Sequence, residues 1–190
     1  ELIGNIIRTP TIRSQHLSNE INGEIFLKLE NLQYTSSFKV RGAYTSITRL
    51  NEEQKKMGVI AMSAGNHAQA VAWWAKKERV NATIVMPEHA PLFKVMKTKS
   101  LGADVILRGR TLNESQTYVS ELVNDKKLTL IHPYDDSNVI IGQGTIGLEF
   151  MEDVKDLDLL IIPIGGGGLI SGISIVAKAL NHNIKIYGVQ

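Results

Sequence analysis

Residues 159–180 read LLIIPIGGGGLISGISIVAKAL. An apolar run of strand length, 159–164, leads into an apolar run of helix length, 169–180. Between them stand Gly165, Gly166, Gly167 and Gly168. A tight strand-to-helix turn needs one or two glycines, whereas four in succession cost conformational entropy and offer no side chain to pack. Their physical use is to let backbone N–H groups converge on an anion at the positive end of the helix that follows. No Lys-Ser or Lys-Thr comes next, so the P-loop reading fails. The turn is a candidate phosphate site.

Outward from this turn the same alternation repeats. Strand candidates are Val59–Met62, Ala82–Met86, Asp104–Leu107, 128–131, 159–164 and Lys185–Val189. Helix-compatible segments fall between them at 66–78, 91–101, 111–124, 139–152 and 169–180. This order predicts an α/β fold with a parallel sheet covered on both faces. Two strands, Val59–Met62 and Ala82–Met86, are almost wholly apolar, as strands buried on both sides should be. Earlier, Ile25, Leu27 and Leu29 alternate with Phe26, Lys28 and Glu30, a strand with one more exposed face. Residues 37–50 read as a helix whose Ser36–Ser37 start offers N-cap oxygens.

Gly142, Gly144 and Gly147 in GQGTIG match the dinucleotide spacing G-x-G-x-x-G. That reading needs a strand before it and an acidic residue about 20 positions on, at the end of the next strand. The strand that follows ends in Gly165 instead, so helix packing through small residues is the better account.

With 190 residues, 43% hydrophobic and 21% charged, the chain has globular composition and length enough for a substantial core. A net charge of +2, from 21 basic and 19 acidic residues, gives no reason to expect a nucleic-acid partner. The absence of Cys removes disulfides, thiolate metal ligands and cysteine nucleophiles, fits a cytoplasmic location, and no metal centre is expected. No stretch approaches the roughly 18 consecutive apolar residues of a membrane span. No flexible Gly/Ser linker is present, so any two domains are tightly docked. The chain ends at Gln190 just after IKIYGV, which would leave an apolar edge or face uncovered, and further residues of a parent protein are expected there.

Two more motifs carry chemistry. SAGNHAQ, residues 63–69, follows Val59–Met62 and precedes a helix, which puts Ser63, Ala64, Gly65, Asn66 and His67 at a strand's C-terminal end, where open α/β sheets bind ligands. Its backbone amides could receive a carboxylate, and the bland alternative is an Asn N-cap followed by a helix-terminal His. Lys39, in SSFKVRGA, is by type a solvated residue. Its neighbours Phe38, Val40 and Ala43 make the setting apolar, and desolvation lowers a lysine's pKa towards a nucleophilic amine.

KLENLQYTSSFKVRGA, SAGNHAQ, MPEHAPLFKVMKTKSLGADVILRG, HPYDDSNVIIGQGTIGLE and PIGGGGLISG occur here in the order seen in pyridoxal-phosphate-dependent threonine/serine dehydratases of fold type II, which this chain resembles along its whole length. It is most similar to the catabolic threonine dehydratases. The resemblance implies the tryptophan synthase β-like architecture: two open, twisted, mostly parallel sheets with helices on both faces. It assigns residues 1–45 and 142–190 to a larger, incomplete cofactor domain and residues 46–141 to a smaller inserted one. It implies pyridoxal 5′-phosphate as cofactor, attached at Lys39, with Phe38 beside the ring and Asn66 at its 3′ oxygen. Gly165, Gly166, Gly167, Gly168 and Leu169 match the phosphate loop, and residues 63–67 match the loop for the substrate carboxylate.

The implied reaction is elimination of water from threonine or serine, giving 2-oxobutyrate or pyruvate and ammonia, in a homo-oligomer. The group facing the pyridine nitrogen would lie beyond Gln190. Two residues depart from the pattern: Ser36 replaces a common Gly, and Ala64 stands where related serine racemases carry a proton-donating Ser. The second departure favours elimination over racemisation. Serine racemase or cysteine synthase chemistry is the alternative on the same fold, and a non-catalytic anion- or nucleotide-binding protein is the more distant one.

Overall fold

The structure, a computed structural model, describes residues 2–190. In chain order its elements are β1 (Thr11–Arg13), α1 (Gln15–Ile21), β2 (Phe26–Lys28), α2 (Lys39–Thr48), α3 (Glu52–Met57), β3 (Val59–Met62), α4 (Asn66–Lys77), β4 (Ala82–Met86), α5 (Leu92–Ser100), β5 (Asp104–Leu107), α6 (Leu112–Lys126), β6 (Thr129–Leu130), α7 (Ser137–Asp153), β7 (Leu159–Pro163), α8 (Gly168–Leu180) and β8 (Lys185–Val189). Among the described residues the strands form an antiparallel pair β1-β2, a parallel sheet in the order β5-β4-β3-β6, and a parallel pair β7-β8.

The apolar strands are buried for the expected reason. Ile60 and Val85 face α6 through Val119 and Leu122. Alternate residues Val59, Ala61, Ile84 and Met86 face the other way, into a core shared with α4 and α2. With both faces covered, the period-2 pattern disappears into a continuous apolar run. Three of the helices between the strands, α3, α6 and α7, start on side-chain oxygens. Thr111 caps Glu114 N, Asp136 caps Val139 N, and Asn51 forms a reciprocal box with Gln54.

GQGTIG lies inside α7, not in a turn, and its glycines are contact surfaces. A Cβ at Gly142 would stand 2.5 Å from the carbonyl oxygen of Arg41 in α2, and one at Gly144 would stand 3.0 Å from the Gly172 carbonyl in α8. The backbones of α2, α7 and α8 therefore touch, as the small-residue reading predicts. Leu160 and Ile162 of β7 join Ile146, Ile173, Ala177 and Ile184 in a second core. The other face of β7-β8 presents Leu159, Ile161, Tyr187 and Val189, all exposed, an uncovered apolar surface as expected.

Two local expectations are corrected. Ser36 and Ser37 do not cap α2. Phe38 holds the cap position with no side-chain bond, and the Ser37 hydroxyl is buried without a partner among the described residues. Thr35 and Ser36 instead both take φ of 57°, so the turn enters the left-handed region without glycine. In β2 the expected faces are exchanged. Leu27 is exposed, whereas the Lys28 side chain is only 4% exposed, because its ammonium reaches Glu149 at 2.9 Å and Asp153 at 3.2 Å on α7. A charge paired this way is drawn inward against its hydropathy.

Candidate functional site

The first residue of α2 is Lys39. Its Nζ donates to the Pro133 carbonyl at 2.6 Å and lies 5.3 Å from the centre of the Phe38 ring. Burial holds the Lys39 amine below the ordinary lysine pKa of 10.5. Its place in the first turn works in the same direction, since the positive helix end disfavours an ammonium. A lysine in this setting carries a larger fraction of free, nucleophilic amine than a solvated one.

At the end of β3, Ser63 N donates to the Val85 carbonyl and so extends the ladder one residue beyond the strand. The Ser63 hydroxyl then turns back to accept from Gly65 N at 3.1 Å. Gly65, not Asn66, is the N-cap of α4, and it brings no capping side chain. Asn66 is exposed at the head of the helix, Ala64 is half-buried against the first core, and His67 is buried. His67 Nε2 lies 2.8 Å from the Ile131 carbonyl and must donate to it. That leaves Nδ1 as a buried lone pair with no partner among the described residues.

Removal from water is the main reason why the pKa of His67 is lowered from 6.5 to about 4; the nearby Lys39 and His132 push it the same way, against the Ile131 bond. The unfolded chain therefore takes up a proton that the native state refuses. Stability is full above pH 6.5 and is lost as pH falls towards 4, by about 3 kcal/mol in all. A His67→Gln protein, which keeps a donor for Ile131 but does not titrate, should lack this portion of the acid sensitivity when urea unfolding is compared across that window.

The four-glycine turn follows β7. Gly167 has φ of 91°, and α8 begins at Gly168. Gly166 and Gly168 are closed by Tyr134: a Cβ at Gly166 would collide with its ring, and one at Gly168 would stand 2.7 Å from its carbonyl. Gly165 and Gly65 are different. Neither has positive φ, and nothing lies within 4 Å of where a Cβ would be. Two glycines with no steric or conformational need, each at a strand's C-terminal end beside a helix start, leave backbone accessible to a ligand.

One segment ties these parts together. Between β6 and α7 the chain passes Ile131, which receives His67, then Pro133, which receives Lys39, then Tyr134, which seats Gly166 and Gly168. His132 stiffens the bend, its Nδ1 accepting from Asp135 N at 2.8 Å. Lys39, His67 and the glycine turn thus meet on four consecutive residues. Phe38 and Leu169 lie against the second core instead. Sequence reasoning missed the carbonyls of Ile131 and Pro133 and the ring of Tyr134. The available signal was positional: HPYDD also sits between a strand and a helix, as do SAGN and GGGG. The arrangement puts a glycine turn open at Gly165, at the head of α8, and a desolvated primary amine on one short segment.

Comparison with known proteins gives this geometry a context. The family described as "Pyridoxal-phosphate dependent enzyme" matches residues 2–190. The catabolic L-threonine dehydratase TdcB of Staphylococcus aureus (strain USA300) is 53% identical over 186 residues, 97% of this chain and 54% of that protein. Among solved structures, the processed form of threonine deaminase isoform 2 from Solanum lycopersicum superposes with a TM-score of 0.94 at 42% identity, covering 96% of this chain and 50% of that one. Serine racemase from Dictyostelium discoideum gives a TM-score of 0.94 at 41% identity, covering 98% of this chain and 61% of that one. The chain spans about half the length of the curated relatives it matches.

Proposed function

Because the chain belongs to the family of pyridoxal-phosphate dependent enzymes, we propose that it carries the catalytic lysine and the phosphate loop of a threonine ammonia-lyase acting on L-threonine and, with modest discrimination, L-serine. The observation that carries this reading is the desolvated Lys39 amine at the Pro133 carbonyl, on the same short segment that seats the four-glycine turn. The residues present fit the cofactor: the turn is open at Gly165, and among the described residues the buried amine is paired with no carboxylate.

When bound, pyridoxal 5′-phosphate supplies an aldehyde for an amine and a conjugated ring that acidifies the Cα–H of an attached amino acid. This chain's residues bind and orient. Residues 165–169 would hold the phosphate by backbone N–H groups at the head of α8, Phe38 would lie beside the ring, and Asn66 would meet its 3′ oxygen. Residues 63–67 would receive the substrate carboxylate, with Gly65 leaving the approach clear. Lys39 would take the Cα proton, since burial lowers its pKa and raises the fraction of free amine, and would then pass that proton to the departing hydroxyl. Water is lost in the elimination and taken up again when the released enamine, as its imine, is hydrolysed, so the net change is release of ammonia, leaving 2-oxobutyrate from threonine or pyruvate from serine. Ala64 has no proton to give to the opposite face, which favours elimination over racemisation.

In the same reading residues 46–141 form the smaller domain and residues 1–45 with 142–190 belong to the larger, and the full-length protein is a cytoplasmic homo-oligomer without nucleic-acid or membrane partners. Among the described residues no helix is long and apolar enough to cross a membrane. Adding pyridoxal phosphate to full-length protein should produce a visible absorption band, and threonine and serine should release ammonia while O-acetylserine with sulfide should not be turned over. Absence of the band, or preference for O-acetylserine, would reject the assignment. Threonine and serine differ by one methyl, worth about 1–3 kcal/mol of discrimination, so both should react.

A further inference from the structure

Arg41 follows Lys39 by two positions and is completely buried. Its guanidinium makes two forked pairs at once. Towards Glu30, Nε and Nη2 donate at 2.9 and 2.7 Å, and towards Glu149 of α7, Nη1 and Nη2 donate at 2.6 and 2.9 Å. Nη1 also donates to the Thr145 hydroxyl at 3.1 Å. Both carboxylates are held from behind. Thr9 donates to Glu30, and Lys28 pairs with Glu149 and with Asp153, which in turn holds Arg8. Burial pushes the Glu149 pKa upward, but Arg41 and Lys28 outweigh it and keep the group ionised.

This cluster sits at the crossing of α2 and α7. The crossing itself is a glycine contact, with Gly142 against the Arg41 carbonyl and Gly42 against the Val139 and Gln143 side chains; these contacts set how closely the two helices approach, and a directional constraint on the rotation of α2 comes in addition. The doubly forked guanidinium supplies that constraint, because planar bidentate pairing is directional. The two parts it joins are those that hold the amine and its acceptor. Lys39 opens α2, and Pro133 lies four residues before α7 begins at Ser137.

We propose that Arg41 is a positioning residue: its simultaneous forks to Glu30 and Glu149 fix the rotation of α2 against α7 and thereby hold the Lys39 amine at the Pro133 carbonyl. The importance of that amine rests on the function proposed above, but the geometric claim can be read without it. The groups facing Lys39 are the Phe38 ring, the Pro133 carbonyl and, through space, His67, which is neutral above about pH 4. A change in Lys39 titration at neutral or alkaline pH therefore reports exposure of the amine rather than a new neighbouring charge.

The test uses full-length protein freed of cofactor, labelled with a lysine acylating reagent over a pH series and mapped at Lys39. In Arg41→Lys, which keeps the charge but not the forks, the labelling midpoint should rise towards the ordinary lysine value of 10.5. With cofactor restored, kcat for threonine should fall about 100-fold with KM little changed, as for a misplaced reacting group. Glu149→Gln, which leaves the Glu30 fork in place, should shift the midpoint in the same direction by less. Folded variants with a wild-type midpoint would overturn the proposal. So would loss of a cooperative melt in both, since the cluster would then support the whole fold rather than orient one amine. If Arg41→Lys alone fails to fold, the Glu149→Gln midpoint decides. A wild-type protein that takes up no cofactor would defeat the enzymatic reading while leaving the labelling result intact.

Discussion

A Lys39→Ala form of the full-length protein should release ammonia from threonine roughly 10³ to 10⁴-fold more slowly than the parent, and at pH 7 it should melt no earlier. The first half follows from the proposed use of one amine for attachment and for proton transfer, with no second lysine in the segments that meet at the site. The second half separates a functional residue from a structural one. Burial lowers the folded-state pKa of Lys39, so the unfolded chain binds a proton over a range in which the native chain releases it. Native stability therefore declines as pH falls from 10.5 through that lowered value, and the deficit is complete below it. Alanine has nothing to protonate. Relative to the parent, the variant should gain stability at neutral pH and lose that advantage above pH 10.5. Thermal melts at the two pH values, beside an ammonia assay, check both halves. Full turnover by the variant would end the proposal that Lys39 is catalytic.

Gly142→Ala should cost about 3 kcal/mol, a large effect for one methyl group. The added carbon would stand 2.5 Å from the Arg41 carbonyl oxygen and 2.6 Å from Gly42 Cα, and both obstacles are backbone. A flexible side chain could swing aside, but here α2 and α7 must separate, which also loosens the Arg41 forks and the Lys39 contact. Turnover should therefore fall together with stability. Gly65→Ala is the comparison, because nothing lies within 4 Å of its added carbon, and its stability should stay within about 0.5 kcal/mol of the parent. Urea unfolding of the two variants distinguishes the positions, and equal losses would show that α2 and α7 do not touch as described.

Much of the fold is legible from residue order alone. The strands Val59–Met62, Ala82–Met86, Asp104–Leu107 and Lys185–Val189 stand where apolar runs bounded by polar punctuation place them. The four glycines mark the start of α8, and Lys39 is recognisable by its apolar neighbours. The helices α1 and α3 are not legible in the sequence, being short, largely exposed and held by their caps rather than by a long apolar stripe.

What local pattern determines here is the alternation of strand and helix, because burial on both faces of a sheet imposes a composition that can be read residue by residue. Three-dimensional packing alone decides that Lys28 turns inward, that Ser37 does not cap a helix, and that Arg41 joins Glu30 to Glu149, which lies 108 positions after Arg41. It also decides that the carbonyls of Ile131 and Pro133 receive His67 and Lys39. Every residue carries a carbonyl, so nothing in residue type marks those two. Charges paired across distant elements likewise violate hydropathy individually and satisfy it only as a set.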